Sequence, residues 1–416
     1  MSFLRLHRCT RLSTHAIGRA YTTNKVIFLN EEQLKTFDLN SPEALGMILS
    51  NLPSTSTVRR SEEAEYGRKR IGCVELPKPL IKAIAGLIDE HQDKRLIRED
   101  ALRLYEALRS TAKMPDEKSP SDRSGKQTKS IEPHTVSYGP RESIAYAAGV
   151  LPSTYAAITN VFQEVSKRMA DFKPRSMLDF GTGPGTAIWA AQRIFDVDKF
   201  VGVDLSENML RVAEQLEETV GKNKKIEFQR YLAMDPQASK SDLVVSAFTL
   251  GDISSAAIQK STIQQLWDQT GDVLILIDRG TPIGFSNIAR ARQWVLESGD
   301  DVHVVAPMKT KHSKLNLEDS KYSYVVLRRG RRPENSNSIQ QQAYFWPRLV
   351  SPPLKNKGHV VMDVCSQSGE IQRMTIPKSQ GKIPYRDARK VMWGDLFPHP
   401  SKNKVVTRVS KGVQEV

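Results

Sequence analysis

Short apolar runs alternate with amphipathic stretches through the middle of the chain, from about residue 176 onward. The runs predict strands at about 176–180, 200–204, 226–230, 242–247 and 272–278. Between them apolar residues recur at helical spacing, most clearly over Glu207–Val220. Alternating strands and helices join through right-handed crossovers, so the pattern predicts a doubly wound parallel sheet. Two later strands, at about 302–306 and 322–328, would complete a mixed sheet.

The N-terminal part of the chain has a helical pattern. Residues 24–112 are predicted to be mainly helical, with Pro79 near the start of one helix and a second helix over about 97–108. The apolar stripe of the first helix consists of Leu80, Ile81, Ile84, Leu87 and Ile88. Core packing explains these residues, and none of them carries chemistry.

Residues 113–136, rich in Ser, Lys, Asp and Pro, predict a disordered linker before the sheet domain. The domain itself is predicted to cover residues 137–330. It begins with helix over Tyr138–Ala170, in which Pro152 marks either a break or a new helix start. Short, proline-punctuated segments over 331–400 predict a small β-rich appendage, and 401–416 a disordered tail.

The first 23 residues have the composition of a mitochondrial transit peptide. Arg5, Arg8, Arg11 and Arg19 are spaced among Ser, Thr and Leu, with no acidic residue. Cleavage is expected after Tyr21, which places the mature protein in the mitochondrial matrix. A disordered basic arm is the alternative.

Charge is unevenly distributed along the 416 residues, whose formal net charge is +14. Residues 305–416 contain 21 basic and 8 acidic residues, a net charge of +13. Such a region suits a polyanion partner, although a solvated basic domain has the same composition. No apolar run reaches the ~20 residues of a membrane span. The three cysteines, Cys9, Cys73 and Cys365, predict no disulfide framework and no disulfide-linked partner.

A glycine-rich turn after the first predicted strand carries the clearest chemical signal. Gly181, Gly183 and Gly185 stand at alternate positions after Asp179, and the second strand ends at Asp204. Glycines tolerate positive φ and let the backbone approach a ligand closely. An acid at the end of the second strand can accept hydrogen bonds from ribose hydroxyls. The pattern predicts a nucleotide-type site, with a ligand-free tight turn as the alternative.

This spacing, G-x-G-x-G with an acid two residues before the first glycine, resembles motif I of class I S-adenosylmethionine methyltransferases. The resemblance implies a Rossmann-like class I methyltransferase fold and S-adenosylmethionine as a possible cofactor. The implied contacts are Asp179, Gly181, Thr182, Gly183, Gly185, Asp204, Leu205 and Asp235. Asp179 would orient the turn or face the amino end of the ligand. Asp235 would reach the adenine amino group, or is simply a turn aspartate.

The fourth predicted strand carries no recognisable catalytic motif. Amino-methylation of nucleic acids would require Asp or Asn, two prolines and an aromatic residue, where the chain has Ser246-Ala247-Phe248. Carbon-5 methylation of pyrimidines needs a cysteine nucleophile, and neither the fourth nor the sixth strand has one. Methyl transfer can still proceed by proximity alone, so catalysis is disfavoured and not excluded.

Further segments stand out along the chain. They are Leu178–Gly185, Asp242–Ser246, Asp278–Phe285, His303–Pro307, Tyr344–Arg348 and Ala388–Asp395. Together they resemble the methyltransferase-like protein family of the mitochondrial small ribosomal subunit, over roughly residues 140–397. The resemblance implies a component or assembly factor of that subunit, with its rRNA and ribosomal proteins as partners.

The chain departs from that family at its metal ligands. Family members often hold a four-iron cluster through four cysteines. The matching positions here are Met308, the neighbourhoods of Lys314 and Ser323, and Cys365. A four-iron cluster takes four thiolates, so we expect no iron–sulfur cluster.

The basic C-terminal third supplies the predicted RNA contacts, since arginine can hold phosphate through two parallel hydrogen bonds. The candidates are Lys309, Lys311, Lys314, Arg328, Arg329, Arg331, Arg332 and Arg348. Two functions follow as hypotheses: an RNA-binding subunit protein with little or no catalysis, or an active rRNA methyltransferase. The basic third makes a small-molecule methyltransferase the weaker alternative.

Overall fold

The computed structural model describes ten stretches of the chain, all within the unit Arg59–Val416. They are residues 60–69, 73–91, 93–108, 136–220, 224–232, 239–299, 301–309, 321–332, 338–366 and 370–407, with the side chains of 307–309 left out. The predicted transit peptide, the predicted linker up to residue 135, Asp235, Lys311 and Lys314 lie outside the described residues.

Three helices of the described stretches precede the sheet domain: α1 (Glu62–Tyr66), α2 (Lys78–Glu90) and α3 (Lys94–Leu108). Pro79 lies in the first turn of α2, where a missing N–H breaks no helical hydrogen bond. The structure confirms both predicted helices. One stripe residue is misplaced, because Ile81 points outward and is 50% exposed.

The predicted helix over Tyr138–Ala170 is two helices, α4 (Pro140–Gly149) and α5 (Leu151–Arg168). Pro152 lies in the first turn of α5 and therefore marks a helix start. Helix α5 is buried along most of its length, and its apolar side chains form the centre of the largest core. No helix of the described stretches is long and apolar enough to span a membrane.

Seven strands form the main sheet. They are β1 (Ser176–Phe180), β2 (Lys199–Val203), β3 (Lys225–Gln229), β4 (Ser241–Ala247), β5 (Thr270–Arg279), β6 (Val302–Lys309) and β7 (Tyr322–Arg329). Their order is β3-β2-β1-β4-β5-β7-β6. The first five are parallel, and β7 is antiparallel to both of its neighbours. The predicted mixed, doubly wound α/β sheet is confirmed.

Helices cover both faces of this sheet. The connecting helices are α6 (Thr186–Ala191), α7 (Glu207–Val220), α8 (Ala256–Asp268) and α9 (Pro282–Leu296). Alternate residues of β5 point to opposite faces: Ile275 packs in the core with α5, and Leu274 packs in the core with α8 and α9. The carboxyl ends of β1, β2, β4 and β5 meet at one edge, where ligands bind in sheets of this kind.

A second, antiparallel sheet follows the first. Its strands are β8 (Arg348–Leu349), β9 (Leu354–Lys355), β10 (His359–Cys365), β11 (Ile371–Pro377) and β12 (Val406–Thr407). The order is β12-β11-β10-β8, and β9 also pairs with β10. Two helices belong to this region, α10 (Ile339–Gln342) and α11 (Lys382–Lys390). Strand β12 lies within the predicted disordered tail, so that prediction is wrong at residues 406–407.

A buried ion cluster joins the two sheets. Glu164 of α5 is 8% exposed and accepts hydrogen bonds from Arg168 Nε at 2.9 Å and Arg348 Nη2 at 2.6 Å. The hydroxyl of Tyr324 in β7 also donates to it. Burial alone raises the pKa of Glu164, but the charges of Arg348, Arg168 and Lys69 outweigh it and hold that pKa well below its ordinary value. Since Arg348 belongs to β8, this carboxylate ties the second sheet to the first.

Candidate functional site

The glycine turn after β1 has the backbone that its sequence predicts. Gly181, Gly183 and Gly185 have φ of 74°, 53° and 78°, a region that favours glycine. The N–H groups of Gly181 and Thr182 donate to Val203 O at 2.8 and 2.9 Å, which fixes the turn to the end of β2. A β-carbon on Gly183 would meet no atom within 4 Å. The turn therefore presents open backbone at Gly183, as a ligand cradle requires.

Asp204 lies directly after β2 and faces the turn. Its Oδ2 accepts the Gly183 N–H at 2.8 Å, and its Oδ1 accepts the Ser206 N–H at 2.9 Å. Burial raises the pKa of Asp204, and these two hydrogen bonds oppose the shift. A carboxylate offers about four acceptor positions, so capacity for ribose hydroxyls remains. Leu205 beside it is 71% exposed.

Asp179, near the end of β1, is 1% exposed. Its Oδ2 accepts a hydrogen bond from Thr182 Oγ1 at 2.7 Å. Burial raises the pKa of Asp179 to about 7, and the nearby charge of Asp204 adds to the shift. Asp179 therefore orients the turn through Thr182, one of the two roles that the sequence allowed. A carboxyl shifted this far is typical of ligand-binding sites.

The shift makes Asp179 a source of pH-dependent instability. The native carboxyl keeps its proton up to pH about 7, whereas the unfolded chain loses it near 3.8. The unfolded state binds fewer protons in that window, so stability falls as pH rises through it. Asp179→Asn keeps an acceptor for Thr182 without the titration. Between pH 5 and 7.5 it should gain about 1–3 kcal/mol relative to wild type.

Urea denaturation at the two pH values measures this gain, with Asp198→Asn, at an exposed carboxylate, as the matched control. If Asp179→Asn and Asp198→Asn followed the same pH dependence, the buried carboxyl would not carry the effect.

Tyr146 of α4 lies beside the glycine turn with Tyr138 packed against it, and the sequence gave no sign of this. Tyr146 lines one cavity together with Asp179, Gly181 and Gly183. Its ring packs edge-on against Tyr138 at 5.9 Å between centroids. Burial raises the pKa of both phenols. Asn208 Nδ2 donates to Tyr138 O at 3.1 Å, which holds this segment against α7.

The cavity beneath Tyr146 has a volume of about 20 Å³. That is room for about one water molecule, whereas pockets for small-molecule ligands measure about 300–1,000 Å³. The buried hydroxyl of Thr186, which also lines the cavity, has no hydrogen-bond partner among the described residues. The polar groups suit an adenosine-type ligand at Asp204, whereas the cavity that α4 and α5 enclose beside Asp179 is small.

The end of β4 has an unusual backbone where a catalytic motif was sought. Phe248 has φ of 63° and is the one non-glycine residue with positive φ in the described stretches. Its N–H donates to Ile277 O at 2.7 Å, and its side chain lines the small cavity. Positive φ is costly for a bulky residue and concentrates at functional sites. Ser246, by contrast, is fully buried within the sheet.

An ion cluster that the sequence did not reveal connects the turns after β4 and β5. Arg279 Nη1 and Nη2 lie 3.2 and 3.1 Å from Asp252 Oδ1. Asp278 accepts a hydrogen bond from Asn287 Nδ2 at 2.9 Å. Burial raises the pKa of Asp252 to about 6, although Arg279 opposes the shift. These groups hold each other in place; the segment Asp278–Phe285 stood out in the sequence, but nothing in it indicated the contact with Asp252.

The predicted RNA-binding arginines mostly serve the fold. Arg328 pairs with Asp272 and Asp171, and Arg329 donates to Trp267 O while its guanidinium lies 4.1 Å from the Trp267 ring centre.

Arg348 is a correction to the sequence prediction, because it is buried against Glu164 and cannot reach RNA. Arg332 donates to Val304 O at 3.3 Å. Arg331 is the exception, with a side chain 89% exposed and 3.6 Å from Asp301. The side chains of Lys309, Lys311 and Lys314 lie outside the described residues.

Strands β1 to β11 and the glycine turn fall inside a region that matches one protein family. A family model for the mitochondrial small ribosomal subunit protein Rsm22 matches residues 140–309 and 308–398. The chain belongs to the Rsm22 family. The matched residues run from the start of α4, through the glycine turn and Tyr146, to the second sheet.

Two curated relatives are named as mitochondrial ribosome assembly proteins. The human protein named Ribosome assembly protein METTL17, mitochondrial, is 31% identical over 300 residues, which cover 63% of this Rsm22-family chain and 64% of the human protein. Ribosome assembly protein RSM22, mitochondrial, of Saccharomyces cerevisiae is 23% identical, over 63% of this chain and 68% of the yeast protein. The chain thus spans a little under two thirds of its human relative.

Solved structures with similar architecture include a magnesium protoporphyrin IX methyltransferase from Synechocystis with bound S-adenosylmethionine. It is 17% identical, with a TM-score of 0.32, and the match covers 46% of this chain and 88% of that chain.

The positions at which the family resemblance implies cluster ligands offer few metal-binding groups in the described residues. Cys365 lies half-buried in β10, and burial raises the pKa of its thiol. Ser323 is buried in β7. Met308 and Lys314 have no described side chain. Within the described stretches, no three His, Cys, Asp or Glu side chains come together as metal ligands.

Proposed function

We propose that this Rsm22-family protein acts in the mitochondrial matrix as a component or assembly factor of the small ribosomal subunit. It binds the rRNA of that subunit, and its methyltransferase-like domain serves as a scaffold with little or no catalysis. Family membership supports the place of action. The observation that supports little or no catalysis is the small cavity, about 20 Å³, that Tyr146 and its neighbours leave at the glycine turn.

For the cofactor we propose contacts at the glycine turn and beyond the end of β2. S-adenosylmethionine would contact Gly181, Gly183 and Asp204, with Leu205 and the segment of Asp235 at the adenine end. When bound, it supplies a transferable methyl group. The residues at Asp204 fit the adenosine part, whereas the cavity of about 20 Å³ near Asp179 and Tyr146 leaves little room for the amino-acid part.

Fractionation of a mitochondrial extract on a density gradient tests the placement. The tagged protein should migrate with the small ribosomal subunit, and RNase treatment should move it to the top of the gradient. Migration at the top of the gradient without RNase would show that the protein does not bind the small subunit.

An active rRNA methyltransferase is the second candidate, and the left-handed glycine turn with Asp204 favours it. Transfer of labelled methyl groups to small-subunit rRNA, by wild type and not by Asp204→Ala, would establish that function instead. We expect no transfer above background from either protein.

We also propose that no iron–sulfur cluster is present. Three of the four expected cysteine positions lack cysteine, and a four-iron cluster needs four thiolates. Protein purified without oxygen should contain no stoichiometric iron and show no broad visible absorbance. Close to four irons per chain would overturn this.

A further inference from the structure

The second sheet carries positive charge that its own acidic residues do not neutralise. Seven lysine or arginine side chains between residues 348 and 407 are exposed: Lys355, Lys357, Lys378, Lys382, Arg389, Lys402 and Lys404. Of the acidic residues described there, Asp387 and Asp395 are buried, and Asp363 is paired with Arg373 at 2.7 Å. Glu370 is the remaining carboxylate, at the start of β11. The excess is therefore a feature of the folded surface as well as of composition.

Several of these cations form one cluster, at the turn between β9 and β10 and along α11. Arg389 Nη1 donates to Asn356 O at 3.3 Å, which joins the helix to the turn. The pKa of Lys355 is lowered by burial first and then by the nearby charges of Arg389 and Arg60. Arg60 itself is anchored to the end of α11, through a hydrogen bond to Lys390 O at 2.6 Å. Like charges are thus held close together at this turn.

Helix α11 extends the cluster along one side. Lys382, Arg386 and Arg389 are spaced i, i+4 and i+7 and therefore lie on one face. The opposite face is fixed in the protein, because Asp387 receives hydrogen bonds from the Ser61 N–H at 3.2 Å and the His399 ring at 2.8 Å. The helix is therefore held with its cations toward solvent. We call Lys355, Lys357, Lys382, Arg386 and Arg389 the basic face.

This surface differs from the arginine cluster that the sequence suggested. Arg328 and Arg348 are bound to carboxylates inside the fold, so their charge is already compensated. Four of the five cations of the basic face have no such compensation: within the described stretches, Lys355, Lys357, Lys382 and Arg389 form no ion pair, whereas Arg386 lies 3.4 Å from Asp387. Cations held together without counter-charges favour a polyanion with regularly spaced charges.

We propose that the basic face binds the phosphate backbone of the small-subunit rRNA, and that it is the main electrostatic contact of this chain with RNA. The proposal rests on the proposed function and deepens it by naming the surface. The contact is to phosphate, so it positions the protein without reading base sequence.

Filter binding of the full-length chain to a transcript of the mitochondrial small-subunit rRNA tests the proposal. The test variant replaces Lys355, Lys357, Lys382 and Arg389 by Gln. The control variant replaces four exposed cations elsewhere by Gln, namely Lys82, Arg98, Lys225 and Lys260. Both variants lose the same charge, and matched thermal melting curves show that both remain folded.

The expected result is a change in salt dependence. Four lost phosphate contacts should make the log–log salt slope of the test variant shallower by up to about three units, at ~0.7 per contact. The ratio of the wild-type affinity for RNA to that of the test variant should then fall by up to about fiftyfold between ~50 and ~200 mM salt. The control variant should keep the wild-type slope.

Equal slopes for test and control variants would overturn the basic face as the RNA contact. Binding to anionic phospholipid vesicles that depends on the four cations, with RNA binding unchanged, would assign the face to a membrane surface and overturn it as well. Neither result affects co-migration with the small subunit. Absence of the wild-type chain from the small-subunit fraction would instead overturn the proposed function.

Discussion

Glu164→Ala is expected to destabilise the protein by about 3–5 kcal/mol, the usual effect of breaking a buried ion pair on one side. The carboxylate is the shared acceptor for Arg168 and Arg348, and it also receives the hydroxyl of Tyr324. Without it, two buried guanidinium groups face each other with no counter-charge. Equilibrium urea denaturation at pH 7 measures the loss.

Glu65→Ala is the matched control for this prediction. Glu65 is about half-exposed and pairs with Arg68 at 3.0 Å and Arg60 at 3.7 Å. Exposed pairs of this kind contribute about 0–1 kcal/mol, so its removal should have little effect. A loss for Glu164→Ala as small as that for Glu65→Ala would mean that the cluster does not hold the two sheets together.

Tyr146→Ala is expected to strengthen binding of S-adenosylmethionine. In the wild type, Tyr146 packs in the wall of the small cavity beside Asp179, so we expect its side chain to oppose entry of the amino-acid end of the ligand. Exposing a large side chain costs roughly 1.5–3 kcal/mol, so the variant should bind about 10–100-fold tighter. Isothermal titration calorimetry of both proteins measures the difference.

Two further variants make this prediction specific. Tyr146→Phe keeps the ring and should bind as weakly as wild type. Adding Asp204→Ala to Tyr146→Ala should remove up to two hydrogen bonds of ~1 kcal/mol each and weaken binding by roughly ten- to thirtyfold. If Tyr146→Ala bound no better than wild type, Tyr146 would not be the side chain that closes the site.

The glycine turn was predictable because its signal is local. The turn has positive φ at Gly181, Gly183 and Gly185, which glycine spacing indicates. The pattern of apolar runs places Asp204 at the end of the second strand. Apolar periodicity likewise gave the strands, since a buried parallel strand needs a continuous apolar run. The position of Tyr146 over the turn was not predictable, because no periodicity tells which distant strand edge a helix will cover.

The arginines show a second limit of sequence reasoning. Charge counts locate basic segments, but they do not tell which cations are neutralised after folding. Arg348 meets Glu164, a residue 184 positions away, and Arg328 meets Asp272, 56 positions away. Only the tertiary contacts separate these internal ion pairs from the basic face, whose cations look no different in the sequence.

On the function proposed above, the fold acts by binding the small-subunit rRNA and needs no cofactor. The most direct test of this function is the amount of small ribosomal subunit, measured on gradients from cells in which the variant replaces the endogenous protein. Asp204→Ala, expressed at the wild-type level, should restore the subunit fully, whereas the basic-face variant should not. A folded Asp204→Ala protein that restores no small subunit would contradict the account and make cofactor binding essential.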